Sequence, residues 1–205
     1  MTPRSAIPIP QIPHITFLCG GPPLLRTEVA NILSDIVPSA QAHSFAAPIR
    51  DGVLGTFFMG DPSIDVSKLT HLPILPQNNS PTFGDFISAF SQFMASFFAN
   101  PSIIGLLAAR RIEENRDYFD RFIFDDADTK ENMRLIADIF GREHALIINF
   151  VSPSFTSQSM RVIDLPSDLN SPLPIIEYLA SSLNPKPEPS TRPLPNLVSK
   201  ADDIL

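Results

Sequence analysis

An α/β fold, with a mostly parallel sheet and helices on both faces, is what this 205-residue sequence predicts. Three observations lead there. Short apolar runs at 15–19, 122–124 and 145–151 alternate with longer segments of helical period, the pattern of strands joined by helical crossovers. Residues 15–19 form a short run that is apolar apart from Thr16, consistent with a buried parallel strand. A hydrophobic share of 43% and a charged share of 18% belong to a globular chain, and the length suits one domain with a sizeable core.

The elements follow in order. Ile15–Cys19 is the first strand, and with Phe122–Asp125 it is expected near the centre of the sheet. Thr27 to Val37 reads as a helix that stops before Pro38. Residues 41–45 read as a second strand. A helix opens at Ser44–Asp51, with Pro48 in its first turn, and runs to about Met59. Residues 60–82 are rich in Pro, Asn, Asp and Ser and read as a long loop. Phe83, Phe86, Ile87, Phe90, Phe93, Met94, Phe97 and Phe98 recur at spacings of three and four, a helix with a wide aromatic stripe. That stripe predicts core packing, and its surplus of phenylalanine leaves room for one edge to meet another chain. Asn100-Pro101 breaks it, and a further helix runs from about Ser102 to Tyr118. Phe122–Phe124 is a strand ending in Asp125-Asp126. Thr129 is expected to cap a helix that ends at Phe140 with Gly141 as its stop. Ala145–Val151 is a strand, and Pro172–Leu183 the last helix.

The organisation is a domain over 14–184 between two proline-rich ends, an arm over 1–13 and a tail over 185–205. These ends hold nine of the 22 prolines and are expected to be extended, without internal hydrogen bonds. Leu194, Leu197, Ile204 and Leu205 give the tail apolar anchors that a solubility tail does not need. The alternatives are ends that lie along a partner and ends that are merely disordered. A net charge of −7 without a basic cluster argues against nucleic acid as a direct partner. No apolar stretch has the ~20 residues of a membrane span, and the proline-rich start, without a charged n-region and apolar h-region, is not expected to be a signal peptide. The single cysteine, Cys19, excludes an internal disulfide and a Cys-based zinc cluster, and reads as a small core residue. An intracellular origin follows.

The most telling segment is Ile15–Thr27, Ile-Thr-Phe-Leu-Cys-Gly-Gly-Pro-Pro-Leu-Leu-Arg-Thr. On the phosphate-binding template G-x-x-x-x-G-K-[ST], Gly20 takes the first glycine, Leu25 stands at the second, Arg26 at the lysine, and Thr27 keeps the hydroxyl. Such a loop holds phosphate with successive backbone N–H groups. Pro22 and Pro23 have none, and Leu25 carries a Cβ where close approach needs glycine. Gly20, Gly21, Arg26 and Thr27 are therefore candidate cofactor-binding residues of a degenerate loop. Other chemistries find little support. His14, His43, His71 and His144 lack metal-ligand spacing, so no metal site is expected. There is no Gly-x-Ser-x-Gly elbow. Asp125, Asp126 and Asp128 lack the glycine and distal glutamate of a calcium loop.

With these pieces in order, residues 14–184 resemble the deoxynucleoside monophosphate kinases of large DNA bacteriophages. Four segments carry the resemblance: the strand, loop and helix around Gly20–Leu33; Ser44-Phe45-Ala46-Ala47-Pro48-Ile49-Arg50, similar to F-A-x-P-[LI]-K near the substrate; Ser80-Pro81-Thr82-Phe83, similar to a helix that opens with a substrate-side arginine; and Phe122–Ala127 with Lys130-Glu131-Asn132 and Gly141, similar to strand, D-x-R, helix and glycine. The resemblance implies a P-loop kinase fold, with Arg50 on the substrate side and with Arg26 and Asp125 as catalytic residues if the chain is active. ATP and magnesium would then be the cofactors, with magnesium held by Asp125 through water; a capping or solvent-facing acid is the other reading of Asp125. The departures count against activity. Arginine is not equivalent to the P-loop lysine, Ala127 stands where D-x-R has arginine, and Thr82 or Phe83 replaces the other arginine. Phosphoryl transfer rests on positioning and positive charge around the phosphate, and one such charge is worth ~10³-fold or more. The expectation is a pseudoenzyme without cofactor, of phage origin. It would sit in the virion or in the cytoplasm of the infected host, and would bind other proteins through its tails and its phenylalanine helix. The rival is an active kinase using ATP.

Overall fold

In a computed structural model, residues 9–57, 73–74, 80–151 and 159–184 are described, apart from the side chains of Leu54 and Phe57. Five strands form one all-parallel sheet: β1 (Ile15–Cys19), β2 (Ala40–His43), β3 (Arg121–Phe124), β4 (Ala145–Asn149) and β5 (Arg161–Asp164), in the spatial order β2-β3-β1-β4-β5. The first strand is central, flanked by β3 and β4 in the registers Ile15 to Phe122 and Ile15 to Ala145. All five residues of β1 and of β4 are buried, because helices cover both faces and leave neither side of a central strand in water.

The helices divide between the two faces. On one, α1 (Pro23–Ile36) and α6 (Pro172–Leu183) pack Val29, Ala30, Leu33, Ile175, Ile176 and Leu179 onto the sheet. On the other lie α2 (Ala47–Phe57), α3 (Phe83–Phe97), α4 (Ile103–Asn115) and α5 (Lys130–Phe140). There Phe45 stacks on Phe124 with centroids 4.4 Å apart, and Phe17 sits 5.6 Å from Phe124. Each of these buried rings is worth about 1.5–3 kcal/mol. Gly105 lets α4 approach α5 closely: a Cβ there would lie 3.1 Å from Asn132 Cα. The same approach lets the Gly105 N–H donate to the buried Asn132 Oδ1 at 3.0 Å.

Several elements differ from the expectation. The first helix begins at Pro23, not Thr27, with Pro22 as its N-cap and proline in its first position. Proline suits that position because its missing N–H would be unbonded there anyway. The second strand is Ala40–His43, and Ala145–Asn149 ends two residues before Val151. The fourth helix stops at Asn115, three residues before Tyr118. Thr129 is the N-cap of α5, but its side chain makes no capping bond. A capping box instead opens α3: Thr82 Oγ1 accepts from Asp85 N, and the Asp85 carboxylate accepts from Thr82 N at 2.8 Å. The edge strand β5 was not expected from the sequence. Only Val162 and Ile163 of its four residues are half-buried, so it carries almost no apolar signal.

The phenylalanine stripe departs most. Phe83 and Ile87 are buried, but Phe90, Phe93, Phe97 and Phe98 are exposed, so the second half of α3 packs on nothing among the described residues as core. Within the 1–13 arm, residues 9–13 belong to the domain. Ile12 is buried, its N–H donates to Pro10 O at 3.1 Å, and Gln11 N donates to Asn184 Oδ1 at 3.0 Å. The 60–82 loop falls largely outside the described residues. Within it Pro73 forms an antiparallel bridge with Thr82. The tail, with Leu194, Leu197, Ile204 and Leu205, lies wholly outside them. No helix among the described residues is long and apolar enough to cross a membrane.

Candidate functional site

In an open parallel sheet, ligands bind beyond the carboxyl ends of the strands, where neighbouring connections diverge. Here that point lies between β1 and β3, because α1 leaves β1 toward one face and α5 follows β3 on the other. Four short segments converge on it: the 20–22 turn, the start of α1, the 43–50 segment, and Asp125–Asp128.

The turn after β1 is Gly20-Gly21-Pro22, and both glycines have left-handed backbone, φ 67° and 66°. At Gly21 a Cβ would stand 2.7 Å from Phe150 Cβ, so glycine is required for conformation and for space. At Pro23 the chain is already helical, and Arg26 N donates to Pro22 O at 3.2 Å. The stretch that the phosphate-loop template keeps as loop is thus wound into the first turn of α1. Of the four donors that a helix start leaves free, Pro22 and Pro23 supply none. These two positions offer no N–H to a phosphate.

The side chains are tied to one another. Arg26, buried, forks onto Asp128 through Nη1 to Oδ1 at 2.6 Å and Nη2 to Oδ2 at 3.0 Å. This bidentate pair is charge-assisted. Thr27 Oγ1 donates to Asp125 Oδ2 at 2.6 Å. Asp126 holds the turn before α2: its Oδ1 accepts from Phe45 N at 2.8 Å, and its Oδ2 from Ser44 Oγ at 2.7 Å and Ala46 N at 3.1 Å. The three carboxylates after β3 therefore bind α1, the α2 entry and α1 again. Burial raises the Asp125 carboxyl above its ordinary range and neighbouring Asp126 adds to this, against the Thr27 hydrogen bond and the charges of Arg50 and Arg26. Arg50, half-buried on α2, faces this cluster, and its Nε is buried without a partner among the described residues. Burial, with Asp128 beside it, pushes the Cys19 thiol up to about 12, so it is not a thiolate nucleophile.

The fold brings together Gly20, Gly21, Arg26, Thr27, Arg50 and Asp125, all named from sequence. Asp128 was not recognised as the partner of Arg26, nor Asp126 as the partner of Ser44. The available signal was the acidic run at 125–128, which reads as a failed calcium loop unless Arg26 is seen to need a counter-ion. Thr27 and Asp125 are the pair a P-loop fold uses to hold magnesium. Pro22 and Pro23 leave gaps in the N–H array that would hold the nucleotide's phosphates beside it, and among the described residues no group of three His, Cys, Asp or Glu could hold a metal ion. In comparisons with known proteins, no family model matches the chain, and no curated protein is significantly similar to it.

Proposed function

We propose that this chain is a nucleoside monophosphate kinase-like protein, of the kind that large DNA bacteriophages encode, that does not transfer phosphate and acts as a binding module between proteins. One observation carries this reading. Arg26, the cation at the P-loop lysine position, is buried and committed to Asp128 at 2.6 and 3.0 Å, while the loop before it is wound into helix from Pro23. A phosphate would have to displace a bidentate partner and would find prolines where donors should be. As a module, the chain would be a virion component or an accessory protein of the infected cytoplasm. Its contacts would be the 185–205 tail, with Leu194, Leu197, Ile204 and Leu205, and the exposed end of α3.

The Thr27–Asp125 hydrogen bond favours a second reading, a kinase that still binds magnesium and ATP. Titration calorimetry with ATP and magnesium separates the two. The module reading expects no measurable heat of binding and no transfer of phosphate to any deoxynucleoside monophosphate. On the kinase reading, Arg26→Ala abolishes activity. Micromolar ATP affinity, or turnover at the 1–100 per second (roughly) of ordinary kinases, would overturn the module reading.

A further inference from the structure

We infer that the exposed phenylalanine row of α3 is a self-association surface, and that its partner is a second copy of this chain. The inference rests on the module reading and extends it by naming a partner, on a surface that includes residues of neither the phosphate loop nor the tail.

The row is continuous. Phe86 and Phe90 lie 6.0 Å apart between ring centroids, Phe90 and Phe93 6.2 Å, Phe93 and Phe97 5.6 Å, and Phe97 and Phe98 5.1 Å. Phe90 is 37% exposed, Phe93 56%, Phe97 69% and Phe98 52%. Phenylalanine is a core residue, and contiguous exposed apolar surface on a folded domain marks a site of contact.

Three features select a second copy. The first is charge. From Phe86 to Ala109 the sequence holds no Asp, Glu, Lys or Arg, although the whole chain carries −7. Two copies therefore repel over most of their surfaces and can meet without like-charge contact on this one. The second is area. The four phenylalanines expose together about two side chains' worth of surface, ~400 Å² at ~200 Å² per ring. Two copies bury about twice that. That total, ~800 Å² before any neighbouring residue is counted, lies just under the ~1,000 Å² at which a specific interface begins. The third is spacing. A two-fold axis needs a self-complementary patch. Phe90 and Phe97 stand almost symmetrically about Phe93. An antiparallel pair of α3 helices crossing there sets Phe90 of one copy against Phe97 of the other and Phe93 against itself. A lipid surface fits less well. A membrane-lying helix carries basic residues on its flanks, and α3 is flanked by Asp85 with no Lys or Arg before Arg110.

Sedimentation velocity on the full chain, over about one to a few hundred micromolar, is the test. The expected result is a monomer–dimer equilibrium with a dissociation constant on the order of micromolar to tens of micromolar, as small interfaces give. Phe93→Glu with Phe97→Glu should weaken it by about 100-fold or more while leaving the circular dichroism unchanged, since both side chains are solvent-facing. Separate Phe93→Glu and Phe93→Lys chains should be monomeric alone and pair when mixed. A wild-type chain that stays monomeric throughout overturns the inference. So does a dimer that persists in the charged variants, or a monomer that floats with phosphatidylcholine vesicles through this face. Loss of the 185–205 tail should not change the dimer, which keeps this result distinct from any role of the tail.

Discussion

One buried histidine should destabilise this protein on acidification. His43 ends β2, and its ring packs edge-on against Phe122 and Phe124 at 6.0 and 5.3 Å. Its Nε2 is buried without a hydrogen-bond partner among the described residues. Burial lowers its pKa from 6.5 to about 4; the nearby Arg111 and Arg50 act in the same direction and Asp51, ion-paired to Arg111, against it. Above pH ~6.5 the ring is neutral in both folded and unfolded chains, and its contribution to stability is fully present. As the pH falls below that, the unfolded chain takes up a proton that the folded one refuses until about pH 4. At ~1.4 kcal/mol per unit, the loss is about 3 kcal/mol over the whole window and about 2 kcal/mol by about pH 5. Asp125 works the other way: its raised carboxyl gains stability as the pH falls. A single protein's pH profile therefore mixes the two. Urea unfolding of the wild type and of His43→Gln, at about pH 7.5, 6 and 5, removes the shared part. The gap between the two proteins should shrink by about 2 kcal/mol on going to the lowest pH, because only the wild type loses that amount. Parallel pH profiles would refute the argument from His43 burial.

Two further substitutions test the crevice. Gly21→Ala must place a Cβ at φ 66° and 2.7 Å from Phe150 Cβ, and should cost about 2–4 kcal/mol in urea unfolding; a loss below about 1 kcal/mol would mean the turn can rearrange. Asp128→Ala leaves the buried Arg26 guanidinium without its partner. It should cost about 1–3 kcal/mol, held below the fully buried case because Asp128 itself is exposed, with Asp128→Asn milder, and neither variant should gain affinity for ATP by calorimetry.

How far the sequence could be read depended on whether a residue's partners lay near it in the chain. The central strands were legible because burial on both faces demands mostly apolar runs, and Ile15–Cys19 and Phe122–Phe124 supply them. The last helix was legible from Pro172 and the apolar spacing of Ile175, Ile176 and Leu179. The edge strand Arg161–Asp164 was not, because an edge exposes one side and its four residues alternate too weakly to show a period. The α1 start was misplaced by four residues because the loop template was given more weight than Pro23, a residue that favours the first helical position on its own. At the site, Arg26, Thr27 and Asp125 were found through local spacing. Their bonds were not, because Asp128 lies 102 residues from Arg26 and a counter-ion leaves no periodic trace.

The α3 stripe shows a limit of a different kind. A helical period of phenylalanines predicts a buried face whether that face is covered by the same chain or by another, since the hydrophobic effect is indifferent to covalent connection. Sequence alone therefore cannot separate a core helix from an interface helix; only the count of neighbours around it can. In this fold the first two turns bury Phe83 and Ile87 in the core, and the later turns carry Phe93 and Phe97 outward. The crevice shows the converse. There the chain satisfies itself, Arg26 with Asp128, Thr27 with Asp125, Ser44 with Asp126, where a working kinase would leave its cation and donors for a substrate. Binding capacity resides in unfilled valence, polar or apolar. In this protein the polar groups at the sheet's carboxyl edge are largely paired with one another and the phenylalanines of α3 are left exposed, and the proposal of a module that binds protein rests on that contrast.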